Sequence, residues 1–155
     1  MSVIKIRKLF NESIQTKNKL LESDMLDTLE HMADIASKAI QKGNKLMLCG
    51  NGGSAADAQH LAAEMLVRLR PNHNREGVPA ITLAQDTSTI TACGNDFGYD
   101  LLFERMVNTL GNKGDILVGI TTSGNSINVI RAMRAAKARG VIIFGFLGVD
   151  GGEAL

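Results

Sequence analysis

Asp57, His60, Glu64 and Arg68 recur at spacings of three and four, so on a helix they would share one stripe. A carboxylate one turn from an imidazole has two chemical uses. It can move a proton, or the pair can hold part of a divalent metal, since zinc accepts both imidazole nitrogen and carboxylate oxygen. Two ligands do not complete a zinc site, and the same spacing also serves an ordinary solvated face. Ala55, Ala56, Ala58, Ala62 and Ala63 fill much of the remaining surface, which permits close packing.

Two short loops hold the other chemistry. Gly50-Asn51-Gly52-Gly53-Ser54 precedes the stripe, and its glycines permit positive φ and close approach of a ligand to the main chain. Gly50, Gly52 and Ala55 fit a dinucleotide fingerprint, but the ribose-binding acid expected ~20 residues on is not evident. A nucleoside-triphosphate loop would need a lysine that is absent. A polar sugar site is the third reading, with Asn51 and Ser54 able to bond hydroxyls. The second loop sets Thr121, Thr122, Ser123 and Ser126 around Gly124, directly before a helical pattern. Hydroxyls beside the unpaired N–H groups of a helix start suit a phosphate. The plainer alternative is that Ser126 caps the helix and the others shape a turn.

The elements that must position these loops follow from periodicity. Ile6, Leu9, Phe10, Ile14 and Leu21 predict one helix. A second begins near Ser23, carries Leu26, Leu29, Met32, Ala33, Ala36 and Ile40, and ends at Gly43. Short apolar runs follow at 45–49, 79–83, 115–120 and 141–146, with helices over 55–67, 101–110 and 127–139 between them. That alternation predicts an α/β fold with a parallel sheet covered on both faces. An N-terminal helical hairpin (1–42) leads into the sheet-bearing part (43–155) of one domain. If the first and third strands are neighbours, as in the flavodoxin-like order, both loops face one crevice beyond the strand ends.

Composition narrows the class. Seventeen basic against sixteen acidic residues argue against bulk attraction to nucleic acid or membrane. No apolar run approaches the ~18 residues of a membrane span, and the basic start is followed by no signal-peptide core. Cys49 and Cys93 follow no metal or redox spacing and read as packing residues of a cytoplasmic protein.

Taken together, the segments resemble one family. Gly50-Asn-Gly-Gly-Ser-Ala-Ala-Asp-Ala-Gln-His-Leu-Ala-Ala-Glu64 is similar to the glycine loop and helix of the phosphoheptose isomerases, which carry the SIS (sugar isomerase) fold. Ala92-Cys-Gly-Asn-Asp-Phe-Gly-Tyr99, Thr122-Ser-Gly-Asn-Ser-Ile-Asn-Val-Ile130 and Gly148-Val-Asp-Gly-Gly152 match further family segments in the family's order. The resemblance implies isomerisation of sedoheptulose 7-phosphate to D-glycero-D-manno-heptose 7-phosphate. It implies that Asn51, Gly52, Gly53, Ser54, Glu64, Asn95 and Asp96 contact the sugar and that Thr121, Thr122, Ser123 and Ser126 bind the phosphate. His60 and Glu64 would be zinc ligands, with Glu64 also the base, in a homotetramer whose active sites lie where subunits meet. The family continues with a fifth strand and a helix bearing a glutamine and a histidine. The chain is therefore expected to be a truncated form, inactive alone. Thr121 stands where the family has serine.

Two rival functions use the same fold: an adaptor for the bacterial replication initiator, and a domain that only senses a sugar phosphate. The resemblance implies that the adaptor branch lacks the acid at Glu64. Arg68, Arg70 and Arg75 around Pro71 could bind phosphate or a partner, or form a solvated basic loop. His31 and His73 are expected to be exposed bystanders.

Overall fold

The computed structural model describes residues 2–83, 86–148 and 150–155. Val149, in the loop matched to the family after the fourth strand, lies outside the described residues. The chain divides into two compact units, one ending at Ser37 and one starting at Lys38.

The first unit holds α1 (Val3–Leu21) and most of α2 (Met25–Gln41). Ser2 caps α1, its hydroxyl accepting from the Lys5 N–H, and Ser23 Oγ accepts from the Met25 N–H at the start of α2. Helix α1 buries no residue, and its apolar stripe stands open to solvent: Leu9 is 53% exposed and Phe10 68%. Gly43, at φ +83°, follows the end of α2 in the second unit. Among the described residues no helix is long and apolar enough to cross a membrane.

The second unit carries β1 (Leu46–Gly50), α3 (Gly53–Leu66), β2 (Ala80–Thr82), α4 (Thr87–Asp96), α5 (Leu102–Leu110), β3 (Ile116–Thr121), α6 (Ile127–Ala138) and β4 (Ile142–Leu147). The strands form one parallel sheet in the order β2-β1-β3-β4. This is the flavodoxin-like arrangement expected from the sequence. Strands β1 and β3 are buried along their whole length, as central parallel strands require. Met47, Leu117, Phe103, Val107 and Val129 form the middle of the core.

The strand starts are locked by one ion pair. Asp115, 2% exposed, accepts from the backbone N–H of Lys45 (3.0 Å), from Lys45 Nζ (2.5 Å) and from the Asn112 N–H (2.8 Å). Each member sits immediately before a central strand, so the contact sets the register Leu46↔Ile116. This places the polar residues Lys45 and Asp115, expected inside the strands, one position ahead of them.

Helix α4 was not anticipated. Its sequence, Thr-Ser-Thr-Ile-Thr-Ala-Cys-Gly-Asn-Asp, is poor in helix formers and rich in β-branched and turn residues. A strong cap compensates: Asp86 accepts the Thr89 N–H at 2.7 Å, and that backbone bond foremost holds its carboxyl below the ordinary carboxylate value.

Candidate active site

The pairing of β1 with β3 brings the two chemical loops together. Gly50 and Ile120 are register partners, so the glycine loop and the hydroxyl loop leave neighbouring strands at the same carboxyl end. Side chains then tie them. Asn51 Nδ2 donates to Asn128 Oδ1 at 2.9 Å, and Asn128 Nδ2 donates back to Asn51 Oδ1 at 3.0 Å. The Tyr99 hydroxyl adds a third bond, to Asn51 Oδ1 at 3.0 Å.

The glycine loop is shaped for close approach. Gly50 is buried, and a Cβ there would stand 2.7 Å from the Cβ of Ser54, so no larger residue fits where α3 leaves the strand. Gly52 adopts φ +55° with open space around it, and Gly53 also faces open space. Ser54 is half-buried, its N–H bonded to the Asn51 carbonyl.

In the hydroxyl loop the structure separates the two readings of Ser126. Ser126 stands at the N-cap of α6, yet its side chain makes no cap hydrogen bond. Its Oγ instead lies 3.0 Å from Oγ1 of Thr121, which is buried. Thr122 and Ser123 are exposed, and Ser123 Oγ accepts the Asn125 N–H at 3.1 Å. The loop therefore presents the exposed Thr122 and Ser123 hydroxyls beside the buried Thr121 and half-buried Ser126. Asn95 and Asp96 end α4, exposed and bonded to each other at 2.7 Å (Asn95 Nδ2 to Asp96 Oδ1). Tyr99, three residues on, links their segment to Asn51.

Glu64 lies elsewhere along α3. It stands eleven residues beyond Gly53 (64 − 53), about 16 Å down the helix axis. The loops and the carboxylate thus sit towards opposite ends of one helix. Glu64 Oε1 is 3.8 Å from His60 Nδ1, which is largely exposed, whereas Glu64 Oε2 is buried and accepts no hydrogen bond. A buried carboxylate oxygen left without a donor is costly, and it suits a group that awaits a metal or a substrate. His60 and Glu64 fit two positions of a zinc shell. Among the described residues no third His, Cys, Asp or Glu joins them.

The basic loop resolves unevenly. Arg68 and Arg70 are exposed, but Arg75 turns back on α3. It donates to the carbonyls of Glu64 (2.5 Å), Met65 (2.8 Å) and Glu76 (2.8 Å). A cation on the last carbonyls of a helix satisfies orphan acceptors and opposes the negative dipole end. Arg75 therefore fixes the turn that carries Glu64 and is not part of a free basic patch. His31 and His73 are exposed. Cys49 and Cys93 are buried and free, and burial pushes the Cys49 thiol up to about 12, which makes it inert.

Sequence reasoning missed Asn128 and Tyr99, although both fall in the segments that carried the resemblance. An asparagine among apolar residues at a helix start was the available signal, because a 3%-exposed amide must find partners.

Known proteins of the same build identify the chain. The SIS domain model matches residues 9–148. The phosphoheptose isomerase of Aliarcobacter butzleri is 50% identical over 139 residues, covering 90% of this chain and 72% of that protein. That of Nitratidesulfovibrio vulgaris is 49% identical over 150 residues, 95% of this chain and 71% of that protein. The solved phosphoheptose isomerase from Francisella tularensis superposes with a TM-score of 0.93 at 34% identity, over 99% of this chain and 79% of that one. The Neisseria gonorrhoeae phosphoheptose isomerase gives 0.87 at 41% identity, over 97% and 77%. With a family model over most of its length and relatives about half identical to it, this chain belongs to the phosphoheptose isomerase family of SIS-domain proteins.

Proposed function

We propose that this protein interconverts sedoheptulose 7-phosphate and D-glycero-D-manno-heptose 7-phosphate, at the entry to nucleotide-activated heptose for bacterial surface polysaccharides. The observation that carries the reading is the joining of the glycine loop to the hydroxyl loop through Asn51 and Asn128 at one end of the sheet. One loop offers hydrogen bonds to a sugar, the other to a phosphate.

The roles follow from what each group can do. Thr122, Ser123 and Ser126 donate to phosphate oxygens at the start of α6, with Thr121 holding Ser126 in place. Gly52, Gly53 and Ser54 meet the sugar beside Asn51, with Asn95 and Asp96 flanking. Holding the phosphate supplies orientation and not chemistry. The chemical step moves a proton from C1 of the ketose to C2 through an enediol, with proton exchange at the two oxygens. Glu64 is the base: its carboxylate takes the C1 proton and returns it to C2. A zinc held by His60 and Glu64 would polarise the carbonyl and stabilise charge on oxygen.

Glu64 and the loops lie towards opposite ends of α3, which favours a site completed by a second copy of the chain. The exposed apolar stripe of α1 supports the same conclusion, and a homotetramer is the assembly we propose. Two free thiols suit the cytoplasm.

The test is direct. The full-length protein, carrying the fifth strand and helix that the resemblance implies, is incubated with sedoheptulose 7-phosphate and zinc in D2O, and proton NMR follows the appearance of aldose and of deuterium at C2. No aldose and no exchange would sink the assignment.

A further inference from the structure

We propose that Asn128 and Tyr99 are positioning residues that fix Asn51 as a hydrogen-bond donor towards the sugar. This rests on the function proposed above. One atom of the Asn128 amide cannot be misassigned. The nitrogen and oxygen of an asparagine amide are usually told apart only by their partners. The backbone N–H of Val129 can only donate, and it points at one atom of the Asn128 amide at 3.0 Å. That atom is therefore the oxygen, and the other, Nδ2, must donate. It faces Asn51 at 3.0 Å, so the Asn51 atom there is Oδ1. Asn51 Nδ2 is then the atom that donates to Asn128 Oδ1 at 2.9 Å.

Tyr99 completes the sequence. Its hydroxyl meets Asn51 Oδ1, which can only accept, so it must give its hydrogen at that 3.0 Å contact. Both lone pairs of Asn51 Oδ1 are now used, and one of its two N–H bonds is spent on Asn128. A single N–H remains. The side-chain amide of Asn51, half-buried in the glycine loop, can offer a substrate one donor and no acceptor. It recognises an oxygen that accepts: a carbonyl, or a sugar hydroxyl whose own hydrogen points elsewhere. Tyr99, 49% exposed, keeps its lone pairs for a hydroxyl hydrogen.

The plainer possibility is that the amide pair only braces two loops. A brace would serve sugar and phosphate alike, because both loops would move when it is cut. Positioning through Asn51 affects the sugar alone, and it vanishes when Asn51 is already gone.

The experiment uses Asn51→Ala, Asn128→Ala, their double variant and Tyr99→Phe. It measures kcat/KM for sedoheptulose 7-phosphate and inhibition by inorganic phosphate. We expect Asn128→Ala to lower kcat/KM about 10-fold, as for a lost hydrogen bond to a substrate-binding group, with phosphate inhibition within about twofold of wild type. The double variant should be no worse than Asn51→Ala alone. Multiplying losses, or a parallel fall in phosphate affinity, would overturn the proposal. Should Asn128→Ala unfold, Asn128→Asp takes its place: it keeps the acceptor for Val129 and loses the donor to Asn51. A ligand-free arm separates this claim from the function it rests on. All variants are made in the full-length protein with the family's fifth strand and helix, and if that wild type does not turn over the sugar, the isomerase reading fails by itself. The side-chain amide NMR signals of Asn51 should still shift in Asn128→Asp and Tyr99→Phe, and unmoved signals would overturn the positioning claim.

Discussion

A Cβ on Gly124 would stand 1.9 Å from the carbonyl oxygen of Gly151, so the hydroxyl loop and the segment after β4 touch backbone to backbone. The contact is reinforced on both sides. The Ala154 N–H bonds the Gly124 carbonyl at 2.9 Å, and the Glu153 N–H bonds Asn125 Oδ1 at 3.0 Å. Gly124 itself holds φ +67°. The segment after β4 thus buttresses the loop proposed to face the phosphate.

Gly124→Ala should therefore weaken phosphate binding more than it weakens the fold. The positive φ alone costs about 1–2 kcal/mol for an L side chain, and the clash must be relieved by moving one backbone or the other. The core residues are untouched. We expect a fall of several degrees in thermal midpoint and about a tenfold or greater rise in the inhibition constant for inorganic phosphate, 1.4 kcal/mol being tenfold. Phosphate inhibition equal to wild type would show that the loop does not hold the anion.

The Lys45–Asp115 lock makes a pH prediction. Burial alone would raise the Asp115 pKa, but the hydrogen bonds from the Lys45 side chain, the Lys45 and Asn112 N–H groups and the Lys45 charge outweigh it, leaving it below the ordinary value. A depressed folded-state pKa contributes stability that is present above the unfolded value, about 3.9, and lost as pH falls through the folded one. Asp115→Asn should cost about 1–3 kcal/mol at pH 7. The gap between wild type and variant should close below pH ~4. A gap that stayed constant from pH 7 to pH 3 would refute the assignment.

Helix α1 predicts assembly. Leu9 and Phe10 are more than half exposed on a stripe that also carries Ile6 and Ile14. Burying such side chains gives about 1.5–3 kcal/mol each, so contact with another copy is the expected outcome. Wild type should run as an oligomer by light scattering, and Phe10→Glu should shift it towards smaller species. A wild-type monomer at high micromolar concentration would remove the tetramer and, with it, any site shared between copies.

Much of this was legible in the sequence because it depends on local pattern. Four apolar runs, each followed by a glycine or hydroxyl loop, implied parallel strands, and the flavodoxin-like adjacency of β1 and β3, expected as a condition, joins Gly50–Ser54 to Thr121–Ser126. What stayed hidden depends on contacts between distant positions. Asn51 and Asn128 are 77 residues apart, and nothing in either loop announces the other. Arg75 read as surface charge because its partners are backbone carbonyls, which have no sequence signature. Helix α4 escaped because Asp86 and tertiary packing override ten residues of weak propensity. The position of Glu64, far down α3 from the loops, was implicit in its number but weighs only once the helix is seen to be unbroken.

Glu64→Gln, made in the full-length protein, gives the sharpest test of the chemistry. The amide keeps the shape and can still accept and donate hydrogen bonds, but it cannot take a proton from carbon. Loss of a general base costs about 10²–10⁴ in rate, so kcat for sedoheptulose 7-phosphate should fall by that factor. Binding should survive, because the loops proposed to hold sugar and phosphate are separate from Glu64 along α3. Phosphate inhibition should thus remain within about twofold of wild type. The buried Oε2 complicates the reading, since the same change could release a metal held with His60. Zinc content is therefore measured beside activity, and His60→Ala serves as the control that disturbs metal while leaving the carboxylate. If His60→Ala loses zinc but retains deuterium exchange at C2, while Glu64→Gln retains zinc and loses exchange, Glu64 is the base. Full turnover by Glu64→Gln with its zinc intact would make Glu64 structural and place the base on another residue.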